Sequence, residues 1–193
     1  MTKKIILASG SVQRKKLLKQ IGLKFSVQPS AAKEIMKIQT TCSALVKHNA
    51  LLKVQDVAEK LKTGIVIGAD TVAYMGNKKI AGKPKSLKEA RDVLKILFNK
   101  PQWIYTGVAV IDVSTGQTIV DYEKTQVFMT HLTDKEIAAY HKRVNPFDKA
   151  GGFDIEGLGS VFIRRIEGCY SNVVGLPIAK VSNMLKKVGV SIL

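Results

Sequence analysis

The chain of 193 residues is predicted to fold as α/β around a mixed sheet, and three observations carry that prediction. Short apolar runs such as Ile5-Ile6-Leu7 and Ile65-Val66-Ile67 alternate with helical patterns. Continuously apolar runs bounded by turn residues read as strands buried on both faces. Two longer strand-like stretches, 104–113 and 118–130, are joined only by Ser114-Thr115-Gly116, and Tyr74-Met75 and Lys79-Ile80 flank a Gly76-Asn77 turn. Strands joined by so short a connection pair antiparallel, so the sheet cannot be wholly parallel.

The elements follow in order. Residues 4–8 form a first strand rather than a signal peptide, because the apolar run is too short and stops at Ser9-Gly10. Residues 12–21 carry a helical pattern with Leu17, Leu18 and Ile21 inward, closed by Gly22. A second strand covers 25–27 and ends near Pro29; a long helix with Leu45, Leu52, Val57 and Leu61 covers 43–61; a third strand covers 65–67. Ser86-Leu87-Lys88-Glu89 is a capping box that starts a helix running to Leu97, with Val93, Leu94 and Leu97 on one face. Thr133-Asp134-Lys135-Glu136 is a second, opening a helix that stops near Asn145-Pro146. A strand at 162–166 and a helix at 177–188 complete the chain. With no repeat, low-complexity linker or composition break, residues 1–193 are expected to form a single domain.

Charge is the dominant compositional feature: 31 Lys+Arg against 15 Asp+Glu give +16. Such an imbalance concentrates anions through the summed field without saying which anion. The lysines are spread along helices (Lys15, Lys16, Lys19; Lys85, Lys88; Lys186, Lys187), and aromatics are only 6% of residues. A stacking platform for bases wants aromatics interleaved with a basic groove, and no nucleic-acid-binding motif is present. Nucleic acid is therefore not expected as a partner, while phosphate-bearing small molecules stay open. No apolar run reaches the roughly 18 residues of a membrane helix. Cys42 and Cys169 have no metal-ligand spacing and nothing indicates an oxidising compartment, so the cytoplasm is the expected location.

Several mechanisms drop out. Gly82-Lys83 resembles the end of a phosphate loop, but Asn77 stands where its first glycine belongs and Pro84 where Ser/Thr is needed. Gly157-Leu158-Gly159 precedes a strand, not the helix of a dinucleotide fold. His48, His131 and His141 read as ordinary surface residues, and no nucleophile elbow exists. What remains is carboxylate and cation chemistry. Asp70, at the end of a buried strand, either caps the next turn or holds a hard cation. Ser9-Gly10-Ser11 opens a helix, where amides hold a phosphate or Ser11 is simply an N-cap. Lys53 alone reads as solvated, whereas Lys83, between Gly82 and Pro84, is better placed to face a ligand. The glycine-dense stretch from Asp148 to Gly159 embeds Lys149 and Glu156 between a helix and a strand.

Taken with Tyr170-Ser171-Asn172-Val173-Val174-Gly175-Leu176-Pro177, that stretch brings a family into view. From end to end the chain resembles the Maf family of nucleoside triphosphate pyrophosphatases. The matching motifs are Leu7-Ala8-Ser9-Gly10-Ser11-Val12-Gln13-Arg14, Gly68-Ala69-Asp70-Thr71-Val72 with Gly82-Lys83-Pro84, Lys149-Ala150-Gly151 through Glu156-Gly157, and the 170–177 run. Each is weak alone; together, in this order, they are specific. The resemblance implies a long mixed sheet flanked by helices, with two lobes around a central cleft, of the inosine triphosphatase type. It implies hydrolysis of a nucleoside triphosphate between its α and β phosphates, with Mg²⁺ or Mn²⁺. It places the catalytic roles on Asp70, Lys53 and Lys83, and the metal on Glu34 and Asp70. Substrate contacts fall on Ser9, Gln13, Arg14, Thr71, Lys149 and Glu156.

Departures from the family pattern fall in the first and third motifs and before Glu34. Ser11-Val12-Gln13-Arg14 stands where Ser-Pro-Arg-Arg is usual, and an amide does not reproduce a bidentate guanidinium–phosphate contact. Ala31-Ala32-Lys33 before Glu34 lacks the family's extra acids. Glu156 stands where pyrimidine-preferring members carry Gln; an ionised carboxylate only accepts, which suits a purine or modified guanine edge that donates two hydrogens. The 170–177 run, by contrast, looks closer to the dTTP/UTP type, so dTTP/UTP and 7-methyl-GTP both stay open. The expected partner is a nucleoside triphosphate, with no membrane and with a homodimer left open. The competing reading is a catalytically weakened Maf-like binding or regulatory protein acting through nucleic acid or a cell-division partner.

Overall fold

A computed structural model describes residues 3–193, and its architecture turns on where one short strand stops. β1 (Ile5–Leu7) pairs in parallel with β2 (Ser26–Val27) on one side and with β3 (Ile65–Gly76) on the other. The crossovers are helical, α1 (Val12–Gln20) and α2 (Cys42–Ala58), as parallel neighbours require. From β3 onward the pairing is antiparallel, through β4 (Lys79–Ala81), β5 (Gln102–Asp112), β6 (Thr118–Met129) and β7 (Ile163–Glu167). The spatial order is β2-β1-β3-β5-β6-β7, with β4 against β3. The mixed sheet expected from the sequence is present.

One expectation is corrected. β3 does not end at Ile67 but continues to Gly76, so Asp70 lies inside a long strand. The reason is non-local: β1 stops with Leu7 opposite Ile67, whereas β5 keeps pairing with β3 as far as Tyr74 opposite Trp103. The strand whose carboxyl end opens a cleft beside Asp70 is β1, not β3.

The helices form where the capping signals lie. Ser11, Thr41 and Ser86 accept from the backbone N–H three residues on, starting α1, α2 and α3 (Leu87–Phe98). Thr133 and Glu136 complete a reciprocal capping box at α4 (Asp134–Arg143). A short helix not anticipated, α5 (Tyr170–Val174), precedes α6 (Ile178–Lys187) and is stopped by Gly175 at φ 126°. Two 3₁₀ turns, Ala150–Gly152 and Leu158–Val161, shape the glycine-dense stretch.

The strands join two lobes. In one, Leu17, Leu18, Ile67, Val108, Val181 and Leu185 pack α1 and α6 onto one sheet face, while Ala50, Val54 and Val57 of α2 pack Val66 and Ala109 on the other. In the second, Leu94, Leu97, Phe98, Ile137, Tyr140 and Phe162 join α3 and α4 to the far ends of the long strands. Burying each such leucine or phenylalanine contributes about 2 kcal/mol. Gly68 and Gly107 let α2 sit close on the sheet, since a Cβ on Gly107 would lie 2.1 Å from the Val46 carbonyl oxygen and one on Gly68 2.6 Å from Val54. That close seat brings the α2 side chains within reach of β3.

Candidate active site

Between the lobes lies a cavity of about 770 Å³, walled by the end of β1, the start of α1, the middle of β3, Gly82-Lys83 and the 148–157 loop. Its floor is Asp70, only 5% exposed. Lys53 Nζ donates to Asp70 Oδ1 at 2.9 Å and to the Ala69 carbonyl at 3.2 Å. Asn49 Nδ2 donates to Asp70 Oδ2 at 2.9 Å. Asn49 and Lys53 stand four residues apart, so one face of α2 presents both toward β3. The Lys53 ammonium also meets Glu34 Oε1 at 2.9 Å. Asn49 further clamps the loop carrying Glu34, donating to the Ile35 carbonyl and accepting from the Ile35 N–H, both at 2.9 Å.

Beside this cluster Arg14 is buried, and its fork is engaged by protein. Nε donates to the Gly175 carbonyl at 2.9 Å, Nη1 to Ser9 Oγ at 3.1 Å and Nη2 to Thr71 Oγ1 at 3.1 Å. Burial pushes the guanidinium below its ordinary value, while Asp70 and Glu34 oppose that shift. Thr71 leads on to Thr106, with hydroxyls 2.9 Å apart, and Thr106 donates to the Asn172 carbonyl at 3.1 Å. Asn172, fully buried, donates to the Ile104 carbonyl and Thr125 Oγ1. The α1 N-terminus, Arg14 and the 172–175 turn are thereby tied to the strands. The same cluster reaches Cys42: burial first, and then the charge of Asp70, push its thiol up to about 12.

The rim is built differently. Lys83 lines the cavity from an exposed loop and makes no ion pair with another described residue. Lys149 Nζ donates to Asp148 Oδ1 at 2.6 Å and the Asn145 carbonyl at 3.1 Å. Gln13 accepts from Ser11 Oγ at 3.2 Å. Glu156 pairs with Lys16 of α1 at 3.1 Å. Asp154 fixes the loop that carries it: Oδ1 accepts from Tyr140 Oη and from the Gly159 N–H, each at 2.8 Å. A Cβ on Gly159 would lie 1.9 Å from the Asp154 carbonyl oxygen, so the turn closes only over glycine. Burial raises the Tyr140 hydroxyl well above its ordinary value, keeping it a donor. His48 and His131 are exposed as expected, but His141 is half-buried, Nε2 3.3 Å from the Gly152 carbonyl, with burial lowering its pKa.

The structure thus brings all ten singled-out positions, Ser9, Gln13, Arg14, Glu34, Lys53, Asp70, Thr71, Lys83, Lys149 and Glu156, to one cavity. Sequence reasoning missed Asn49, Asp154 and Lys16. For Asn49 a signal existed, an amide one helical turn before Lys53 inside an otherwise apolar stripe.

The sequence profile described as Maf-like protein matches residues 4–188. This chain belongs to the Maf family. Curated relatives of this Maf protein include a dTTP/UTP pyrophosphatase of Desulforamulus reducens, 44% identical, with 97% of this chain and 98% of that protein covered. Another from Caldicellulosiruptor saccharolyticus is 40% identical over 97% of this chain and 96% of its own length. A third, from Bacillus cereus, is 41% identical over 98% and 92%. Among solved structures, that of the Staphylococcus aureus Ham1 protein matches at 20% identity and a TM-score of 0.48, covering 66% of this chain and 72% of that one. Among the described residues of this Maf protein, no helix is long and apolar enough to cross a membrane.

Proposed function

We propose that this Maf protein, acting as one domain, hydrolyses dTTP or UTP to the monophosphate and pyrophosphate. The observation that carries the reading is the buried carboxylate of Asp70, oriented by Lys53 and Asn49 and open to the cavity. Each Asp70 oxygen already accepts one hydrogen bond, which fixes the carboxylate plane and leaves lone pairs for a water proton or a cation. A base so held removes the proton of an attacking water as the phosphoric anhydride breaks and pyrophosphate leaves. Positioning and charge neutralisation supply most of the remaining rate.

The donor set fits a divalent cation. Among the described residues no three His, Cys, Asp or Glu side chains form a closed metal cage. Asp70 and Glu34 nevertheless converge on one cationic point, the Lys53 ammonium. Mg²⁺ is usually held by one or two carboxylates together with substrate phosphates, and a pair of acids beside a phosphate site matches that need. When bound there, Mg²⁺ or Mn²⁺ supplies phosphate neutralisation and Lewis acidity. Lys83, Lys149 and the free N–H groups of the first turn of α1 face the polyphosphate. Arg14 acts in this reading by holding Ser9 and Thr71 in place, since three of its donors are committed.

The test is pyrophosphate release from a panel of UTP, dTTP, CTP, ATP, GTP and 7-methyl-GTP, each with Mg²⁺, Mn²⁺ or EDTA. The expected result is turnover led by UTP and dTTP and abolished by EDTA. No turnover of any triphosphate with either metal would instead support a non-catalytic Maf-like binding protein.

A further inference from the structure

Lys16 and Glu156 meet across the mouth of the cavity, Nζ to Oε1 at 3.1 Å, one from α1 and the other from the 148–157 loop. Their side chains are 56% and 24% exposed, so the pair sits at the rim rather than in the floor. An exposed ion pair of this kind adds little stability. What it does offer is a donor set and an acceptor set side by side, facing the space a ligand would fill.

Charge decides which part of a nucleotide meets this pair. The triphosphate belongs with Lys83, Lys149 and the α1 N-terminus. The Glu156 carboxylate repels phosphate and suits the neutral base. Uracil and thymine present an imino N–H flanked by two carbonyl oxygens. A lone carboxylate accepts from the N–H but opposes both carbonyls. An ammonium has three donors, and pairing with Glu156 occupies one of those on Lys16.

We propose that Lys16 and Glu156 together read the pyrimidine edge, the carboxylate accepting from the imino N–H and the ammonium donating to the neighbouring carbonyl. This rests on the pyrophosphatase reading above. It also revises the expectation that Glu156 by itself selects a guanine edge. Guanine offers two adjacent donors, which both carboxylate oxygens accept without the ammonium. Lys16 therefore matters more for uracil and thymine than for guanine.

The experiment measures kcat/KM for UTP, dTTP and GTP on the wild type, Lys16→Met, Lys16→Arg and the double variant Lys16→Met with Glu156→Gln. Lys16→Met is expected to lower the UTP:GTP ratio about tenfold, the scale of one polar edge left unpaired in a pocket. Lys16→Arg keeps a donor and keeps the ratio. The double variant regains pyrimidine turnover relative to Lys16→Met, because a glutamine amide donates and accepts by itself; this non-additivity marks the two side chains as one reader. An equal loss for all three substrates would assign Lys16 to the phosphates and overturn the proposal. So would an unchanged ratio, a double variant no better than Lys16→Met, or a wild type that prefers GTP. A wild type that releases pyrophosphate from none of the three would instead remove the pyrophosphatase reading itself, and this proposal with it.

Discussion

Asp70 and Lys83 line the same cavity, yet the protein treats them in opposite ways. Asp70 sits on a strand that β5 pairs from Ile65 to Tyr74, is nearly inaccessible, and has a donor on each carboxylate oxygen. Lys83 sits on a loop, exposed, without an ion-pair partner among the described residues. The floor is thus set before a ligand arrives, its geometry supplied by packed regular elements. The rim holds long side chains on glycine-rich backbone, suited to following a polyphosphate rather than fixing one atom. Chemistry belongs to the first kind of site and capture to the second.

The floor depends most on the close seat of α2 against the sheet. Gly107 is where α2 meets β5, and an added Cβ would press into backbone at Val46, which cannot step aside as a flexible side chain would. Gly107→Ala is expected to cost about 3 kcal/mol of stability by overpacking. By displacing Asn49 and Lys53 from Asp70 it should also lower pyrophosphate release roughly a hundredfold, given how steeply rate depends on ångström-scale placement. Urea denaturation and a release assay at a temperature where the variant stays folded read the two effects separately. A variant with full stability and full turnover would mean that α2 does not position the floor.

A smaller effect sharpens the contrast from outside the cleft. Asp112 is buried at the far end of β5, and Lys3 donates to it at 2.7 Å and to the Val188 carbonyl at 2.9 Å. The Lys3 hydrogen bond leads in holding this carboxyl below its ordinary value, with the Ser114 N–H assisting against burial. A depressed carboxylate stabilises the fold above its unfolded pKa, near 4, and that contribution disappears as pH falls through the lower folded value. Lys3 is 38% exposed, so the pair is screened and Lys3→Ala should cost only about 1 kcal/mol at pH 7. As pH falls through the lowered folded value the difference from wild type should vanish, while turnover at pH 7 stays unchanged. Thermal melts across pH test this; a gap that persists in acid would assign the loss to packing.

Much of this was readable in the chain itself, for local reasons. Strand cores, capping boxes and glycine stops act over a few residues, so β1, α3 and α4 emerged near their observed bounds. Residues of the four motifs line one cavity, where Glu34 and Lys53 join them from outside the motifs. What stayed hidden depends on partners far away in sequence. Asp70 and Thr71 interrupt an apolar run, so β3 looked finished at Ile67, and only its ladder with β5 shows otherwise. Lys16 and Glu156 are 140 positions apart, and nothing in either local pattern announces the other. Asp154 looked like one more polar residue among glycines, although Gly159 is glycine because the chain passes against it.

The division between floor and rim is tested most directly by steady-state kinetics on UTP for Asp70→Asn and Lys83→Ala, with Lys187→Ala on the exposed face of α6 as the reference. Loss of the base or metal anchor should cut kcat for Asp70→Asn roughly a hundredfold or more with KM little changed. Lys83→Ala should raise KM about tenfold while kcat stays near wild type, the signature of uniform binding energy removed. Lys187→Ala should match the wild type. A folded Asp70→Asn protein with undiminished kcat would contradict the account, as would three variants that behave alike, because then only the general positive field of the surface would matter.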